Sequence, residues 1–257
     1  MSTVTLGVHR KVAHVMGMPV SLALRGRHTD DVAATQAWEA ALEVLREADR
    51  VFSTYREDSA ICRLDRGEVA VDDCPAEVAE VLALGERARR ESGGAFDVRR
   101  SGPDGNRVLD PSGVVKGWAV ERAAGRLQDL DDTDYCLSAG GDMVCRVVDA
   151  ARPPWQVGIE DPRAPGDILA VVPVRCGAVA TSGTAHRGAH IVDARTGDVP
   201  VGVAAVTVVA QDLTWADIDA TAAFAMGSDA LTWLRRRPHR SGLVVAADGS
   251  RLVFGGD

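Results

Sequence analysis

The stretch Ala178–Gly197, AVATSGTAHRGAHIVDARTG, sets two histidines, an aspartate and several hydroxyls directly after a run too apolar for a surface. Val179-Ala180 reads as the end of a buried strand and Thr181-Ser182-Gly183 as a turn. His190-Ile191-Val192-Asp193 reads as a short strand leaving that turn, closed by Thr196-Gly197. A chain carrying this stretch has to bury its first part in a sheet and bring the polar part out at the sheet's end, where chemistry usually sits. Any single Thr or Asp here would serve only nearby backbone groups. The combination points to a site.

The remaining pattern is mixed. Val12–Arg25 alternates imperfectly around Gly17 and Pro19, which predicts an opening strand interrupted at Met16-Gly17-Met18. Asp31–Phe52 has apolar residues at helical spacing, with Thr29 or Asp30 as N-cap, and Pro75 opens a second helix through Arg90 that ends at Ser92-Gly93-Gly94. Between them, Phe52–Ser59 is a polar aromatic loop. Asp97 is either a ligand contact or the cap of the next turn. A third helix starts near Ser112, its expected N-cap, and carries Lys116 in its first turn. A cation there opposes the helix dipole, so it needs an anionic partner, either Asp110 or a bound phosphate.

After Tyr135 short strands dominate: Cys136–Ser138, Val144–Val148, Trp155–Ile159, Leu169–Val174 and Val203–Val209. Ala139-Gly140-Gly141-Asp142 lies between the first two, and its paired glycines suit a ligand's close approach or a plain hairpin turn. A helix opens at Trp215 and ends near Gly227. On it Asp217 and Thr221 stand four apart and share a face, while Asp219 points elsewhere. A carboxylate stacked on a hydroxyl offers hard oxygen donors suited to Mg²⁺; the same pair also fits a dipole-complementing Asp beside a Thr bonded to its own helix. The hairpin Gly242–Phe254 turns at Asp248-Gly249. Neither G-x-G-x-x-G nor G-x-x-x-x-G-K-[ST] occurs.

With 257 residues, 46% of them apolar, the chain can bury a large core. A formal charge of −8 argues against nucleic acid or an anionic membrane as the main partner, because both need a basic face. Only two lysines, Lys11 and Lys116, stand among the 29 basic residues. The five cysteines form no C-x-x-C pair, which fits a reducing compartment. Residues 1–20 hold no continuous apolar run and no lipidation cysteine, and Val199–Ala210 is too short to span a bilayer. A cytoplasmic protein without an integral membrane segment is expected.

Taken in order, eight segments resemble the ApbE family, the FAD:protein FMN transferases: MGMP at Met16, FSTYREDSAICRL at Phe52, GGAFDV at Gly93, LDPSGVVKGWAV at Leu109, SAGGDM at Ser138, WQVGIEDP at Trp155, VATSGTAHRGAHIVDARTG at Val179 and ADIDAT at Ala216. The resemblance spans Met16 to Gly227. It implies Mg²⁺-dependent transfer of FMN from FAD to a threonine hydroxyl of a target protein, with release of AMP. Hydrolysis of FAD to FMN and AMP, or FAD binding without turnover, are the alternatives it leaves. By that resemblance Met16, Tyr55, Ala95, Phe96, Asp97, Asp110, Lys116, Gly140, Gly141 and Ile191 fall on flavin-contacting positions. Gly113, through its carbonyl, and the side chains of Asp217 and Thr221 fall on metal positions, and His190 on a candidate proton acceptor, for which Asp193, Asp142 and His186 compete because they lie close in sequence or in the same loop region. Here Ala194 stands where the family motif usually has proline, and Ser138-Ala139 where Asn-Leu is common. The expected architecture is one α+β domain over 1–257, with N-terminal helices packed on a largely antiparallel sheet and the FAD between the two lobes.

Overall fold

The computed structural model describes residues 7–101, 106–184 and 191–255. Strands β1 (His9–Val15) and β2 (Met18–Gly26) form a hairpin closed by Met16 and Gly17, at φ 55° and 68°. Two consecutive left-handed residues make a type I′ turn, whose twist matches paired strands. The interruption expected inside one strand is therefore the reversal between two. Helix α1 (Val32–Phe52) is capped by Asp31 rather than Thr29 or Asp30: its carboxylate accepts the Ala34 N–H at 2.9 Å. Helix α2 (Ala60–Asp65) is capped by the Ser59 hydroxyl, and α3 (Ala76–Glu91) starts after Pro75. A two-stranded ribbon of β3 (Arg99–Ser101) and β4 (Arg107–Leu109) leads into α4 (Ser112–Gly125). Ser112 is the first residue of α4 and not its cap. The cap position belongs to Pro111, which supplies no side-chain bond, and Asp110 just before it accepts the Ser112 N–H at 3.1 Å and its hydroxyl at 2.5 Å.

The sheet then assembles from β5 (Thr133–Ala139), β6 (Asp142–Arg146), β9 (Cys176–Gly183) and β10 (Val203–Ala210), with β7 (Trp155–Glu160) and β8 (Ile168–Val174) forming a separate ribbon. Helices α5 (Leu213–Ala225) and α6 (Ala230–Leu234) precede the last hairpin, β11 (Ser241–Ala246) and β12 (Arg251–Phe254). Eight strands run in the order β1-β2-β5-β6-β9-β10-β11-β12, every neighbouring pair antiparallel. The α+β class with a largely antiparallel sheet holds. The N-terminal hairpin joins that sheet, and α5, from the C-terminal half, lies directly on it.

Two local expectations change. Thr181-Ser182-Gly183 is not a turn but the end of β9, in register with Thr207, Val206 and Ala205. Thr181 Oγ1 sits 2.9 Å from Thr207 Oγ1, so the hydroxyls serve a cross-strand pair. Ile191–Asp193 forms no strand. Its neighbourhood is tied by single bonds instead, Asp193 N–H to the Asp198 carbonyl at 2.9 Å and Ala194 N–H to the Ala95 carbonyl at 3.1 Å.

The helix layer covers one sheet face. Leu22, Leu24, Leu137, Val144, Ala178, Val206 and Val208 point into it, and α5 packs on β9 and β10 below and α4 above. A helix apolar all round belongs inside. Helix α5 meets this with Ala216, Ala220, Ala222 and Ala223, whose small side chains allow close approach. On α4 the matching residue is Gly117. The other face is partly covered by the β7–β8 ribbon, where Val157 and Val174 pack on Cys145 and Val179. Buried Asp134 anchors that region: it holds Arg25 at 2.8 Å and Arg152 at 3.1 Å, and Arg25 stacks on Trp155 at 4.4 Å.

A Cβ added at Gly117 would lie 2.7 Å from the Leu213 carbonyl oxygen and 2.8 Å from the Asp217 Cβ. Backbone cannot yield as a side-chain tip does. Gly117→Ala is expected to lower stability by about 1–3 kcal/mol by forcing α4 from α5. Urea denaturation with an unchanged midpoint would show that the two helices are not held this closely.

Candidate functional site

A cavity of about 490 Å³ opens at the end of the sheet, within the size range of small-molecule sites. Its walls come from segments distant in sequence. Gly140 and Gly141 form the β5–β6 turn, Thr181–Gly183 end β9, and Ser112, Gly113 and Lys116 start α4. Asp217 and Thr221 come from α5, Gly158–Glu160 and Ile168 from the β7–β8 ribbon, and Ala95–Asp97 and Ile191–Val192 from connecting segments.

Three charged groups meet on its floor. Lys116 Nζ lies 2.5 Å from Asp142 Oδ2 and 3.2 Å from Asp217 Oδ1. Asp142 Oδ1 accepts the Thr181 N–H at 3.0 Å, and Asp217 Oδ2 accepts the Gly117 N–H at 3.0 Å. Both carboxylates are only 1% exposed. The anionic partners of Lys116 are therefore Asp142 and Asp217, not Asp110. Position decides this: Asp110 precedes α4 and is occupied by Ser112 and by Arg100 Nε at 2.7 Å, whereas Lys116 points inward toward β6 and α5. Burial opposes the charge on Lys116, yet Asp217 and Asp142 outweigh it and hold the ammonium above the ordinary lysine range. For Asp217 desolvation dominates, and with Asp142 nearby it overcomes the help from Lys116, so the carboxyl is pushed up to about 7. One ammonium between two buried carboxylates leaves a negative charge in excess when Asp217 is ionised, and a cation beside Asp217 would favour that ionised form.

Asp217 lies mid-helix, since Asp212 is the N-cap of α5, which removes the dipole-complementing reading. Thr221 Oγ1 sits 3.0 Å from Ser182 Oγ on β9 instead of serving its own helix. Gly113 lies close to Phe96 and Thr221: a Cβ there would meet the Phe96 ring at 2.9 Å and Thr221 Cγ2 at 3.8 Å. An α-helix would direct the Gly117 N–H at the Gly113 carbonyl, and Asp217 Oδ2 competes for that donor. Asp217, Thr221 and Gly113 line the same cavity, and a carboxylate, a hydroxyl and a helix-start carbonyl are all hard oxygen donors of the kind Mg²⁺ takes. Among the described residues no group of three His, Cys, Asp or Glu side chains forms a cage. Asp219 faces away, held by Arg237 at 2.9 Å and Arg240 at 2.8 Å.

Ala95, Phe96, Asp97, Asp110, Gly113, Lys116, Gly140, Gly141, Ile191, Asp217 and Thr221 all line the cavity. Asp97 also caps its own turn, accepting the Arg99 N–H at 2.8 Å, and pairs with Arg107 at 2.6 Å. Two expected contacts are not on the wall. Met16 is in the first hairpin turn, and it is Met18 Sδ that approaches Gly140, 3.1 Å from where a Cβ would stand. Tyr55 is 97% exposed on the loop between α1 and α2. His190 and His186 lie outside the described residues. Asp193, a competing base, is tied to Arg195, whose hydrogen bonds hold its carboxyl below the usual range.

Sequence reasoning named Asp142 only as a rival base to His190, not as a partner of Lys116, and did not single out Ser182 or Arg100 as site residues. Asp142 directly follows the paired glycines, and that adjacency was the available signal. Ser182 looked like a turn residue because nothing in one strand reveals the helix opposite it.

The fold and site together define an α+β protein with a small-molecule-sized cleft over a buried Lys-Asp-Asp cluster. The chain belongs to the ApbE family, whose model matches residues 16–103 and 100–244. A "FAD:protein FMN transferase" of Haemophilus influenzae is 24% identical, aligned over 85% of this chain and 82% of its own. The Klebsiella pneumoniae protein of the same description is also 24% identical, over 73% and 70%. In fold, the chain is similar to the ApbE protein of Thermotoga maritima, with TM-score 0.82, 23% identity and coverage of 96% and 97%. The flavinyl transferase ApbE of Pseudomonas stutzeri, in its apo form, gives 0.82, 21%, 99% and 97%.

Replacing Lys116 by methionine leaves two buried carboxylates without their counter-ion. Lys116→Met is expected to cost about 3–5 kcal/mol near neutral pH. In the variant each carboxylate raises the other's pKa in the folded state, so the loss shrinks as pH falls and one of them takes a proton. Denaturant melts at neutral and mildly acidic pH check this, and a loss independent of pH would contradict the charge account.

Proposed function

We propose that this protein is a Mg²⁺-dependent FAD:protein FMN transferase that passes the FMN half of FAD to a threonine hydroxyl of a target protein and releases AMP. The observation carrying this reading is that Asp217, Thr221, Gly113 and Lys116, which the motif resemblance assigns to metal and FAD contacts, line one cavity. The names of the curated relatives support it.

In the transfer, the acceptor hydroxyl oxygen bonds to the FMN phosphorus, the bond from that phosphorus to the AMP oxygen breaks, and the hydroxyl proton passes to a base. Mg²⁺ bound by Asp217, Thr221 and the Gly113 carbonyl would neutralise charge on the phosphoryl oxygens. Lys116, fixed by its two carboxylates, adds a positive charge on the cavity wall. Gly140 and Gly141, at φ 57° and 96°, present backbone without side chains where a ligand must come close. Ser182 holds the Thr221 hydroxyl in place. His190 is the base proposed from the family motif.

The test is incubation with FAD and Mg²⁺, with and without a threonine-bearing acceptor, measuring AMP and protein-bound flavin. Flavin on the acceptor is the expected result. AMP with free FMN and no labelled acceptor would make the protein an FAD pyrophosphatase, and binding without AMP would leave a flavin-binding protein.

Asp217→Asn keeps the shape and still accepts the Gly117 N–H, but it removes the charged metal ligand. AMP release is expected to vanish while the melt stays cooperative, and full activity in EDTA would exclude Asp217 as a ligand. His190→Ala is expected to lower turnover by ~10²- to 10⁴-fold with FAD affinity largely kept. An unchanged rate per folded molecule removes His190 from the chemistry.

A further inference from the structure

We propose that Cys136 and Cys145 form a reversible intramolecular disulfide when the protein meets a hydroperoxide. The two residues are directly opposed across β5 and β6, and their sulfurs are 3.5 Å apart. Register explains why a bond fits. The two-residue turn Gly140-Gly141 makes Ala139 and Asp142 its closing, hydrogen-bonded pair. Alternation along the hairpin then makes Leu137–Val144 hydrogen-bonded and Cys136–Cys145 not. At such positions the Cα atoms are about 4.5 Å apart and the side chains lean together, within the span of a disulfide. Rotation about Cα–Cβ can close the remaining gap without moving the strands.

The surroundings divide the two roles. Cys136 is partly exposed, and beyond it on the same sheet face lie Ala23 and Arg10 in register. Cys145 is buried beneath the β7–β8 ribbon, and its S–H donates to Cys136 Sγ, which favours the Cys136 thiolate. Cys176 is exposed, but it pairs with Arg146, while Gly177 opposes Cys145. Its side chain leaves the opposite sheet face. Cys62 and Cys74 lie in the N-terminal helical region, their thiols on the Ser53 and Ala70 carbonyls.

In the first step the Cys136 thiolate attacks a peroxide oxygen, the O–O bond breaks, and an alcohol or water leaves, giving a sulfenic acid. In the second the Cys145 sulfur bonds to that sulfur and displaces its hydroxyl, which departs as water with the Cys145 proton. Two thiols lose two hydrogens, and the hydroperoxide is reduced.

The full-length protein is treated with hydrogen peroxide, and its thiols are counted and its tryptic peptides mapped without reductant. Both cysteines fall in one peptide, 127–146. The expected result is loss of two of the five thiols, with that peptide lighter by two hydrogens at Cys136 and Cys145 in fragmentation and restored by dithiothreitol. Cys145→Ser should instead retain a dimedone-reactive sulfenic acid on Cys136. Oxygen added to wild-type Cys136 with no hydrogen loss, a bond to Cys176 or to a second chain, or five unchanged thiols would each overturn the proposal.

Discussion

A lysine ammonium held between two buried carboxylates is the constraint from which the site follows. Lys116 comes from α4, Asp142 from the end of a tight hairpin and Asp217 from mid-α5, so three elements must dock before any of these charges is paired. Each partner's remaining oxygen is taken by a backbone N–H, from Thr181 and Gly117. Such a cluster does little for net stability, because desolvation offsets the attraction, but losing one member is costly. It therefore specifies one arrangement of α4, α5 and the β5–β6 turn, and that arrangement is the cavity floor.

Close packing makes the docking possible. Alanines on α5 and Gly117 on α4 bring two helix backbones close enough for the Asp217 carboxylate to reach a main-chain N–H across the interface. On the opposite sheet face the β7–β8 ribbon is steadied by Arg25, stacked on Trp155 and paired with Asp134. Ribbon and helix layer both supply walls of the cavity. The cleft is the space between them.

The same geometry accounts for the two expected flavin contacts that the cavity wall lacks. Tyr55 stands in solvent on a loop whose ends are fixed by α1 and by the Ser59 cap of α2. Met16 is used by a left-handed turn, and Met18 is the methionine beside Gly140. A motif identifies such residues by type and order, whereas wall membership depends on side-chain direction.

Periodicity in the chain alone determined α1, α3, most strands of the sheet and the last hairpin, because burying one face imposes a repeat of 3.6 or 2 residues on the local pattern. Spacing also placed Asp217 and Thr221 on one helix face and turned Asp219 away. Features set by a single residue's backbone were less legible: Asp31 caps where Thr29 or Asp30 was expected, and Pro111 holds the cap position of α4 where Ser112 was expected. What only tertiary structure decided was pairing. Lys116 found Asp142 and Asp217 in place of Asp110, Ser182 met Thr221, and the hydroxyls of a supposed turn became rungs of β9. These partners lie tens of residues apart or more, and local pattern carries no record of which distant carboxylate will be close when two helices and a sheet close on one another.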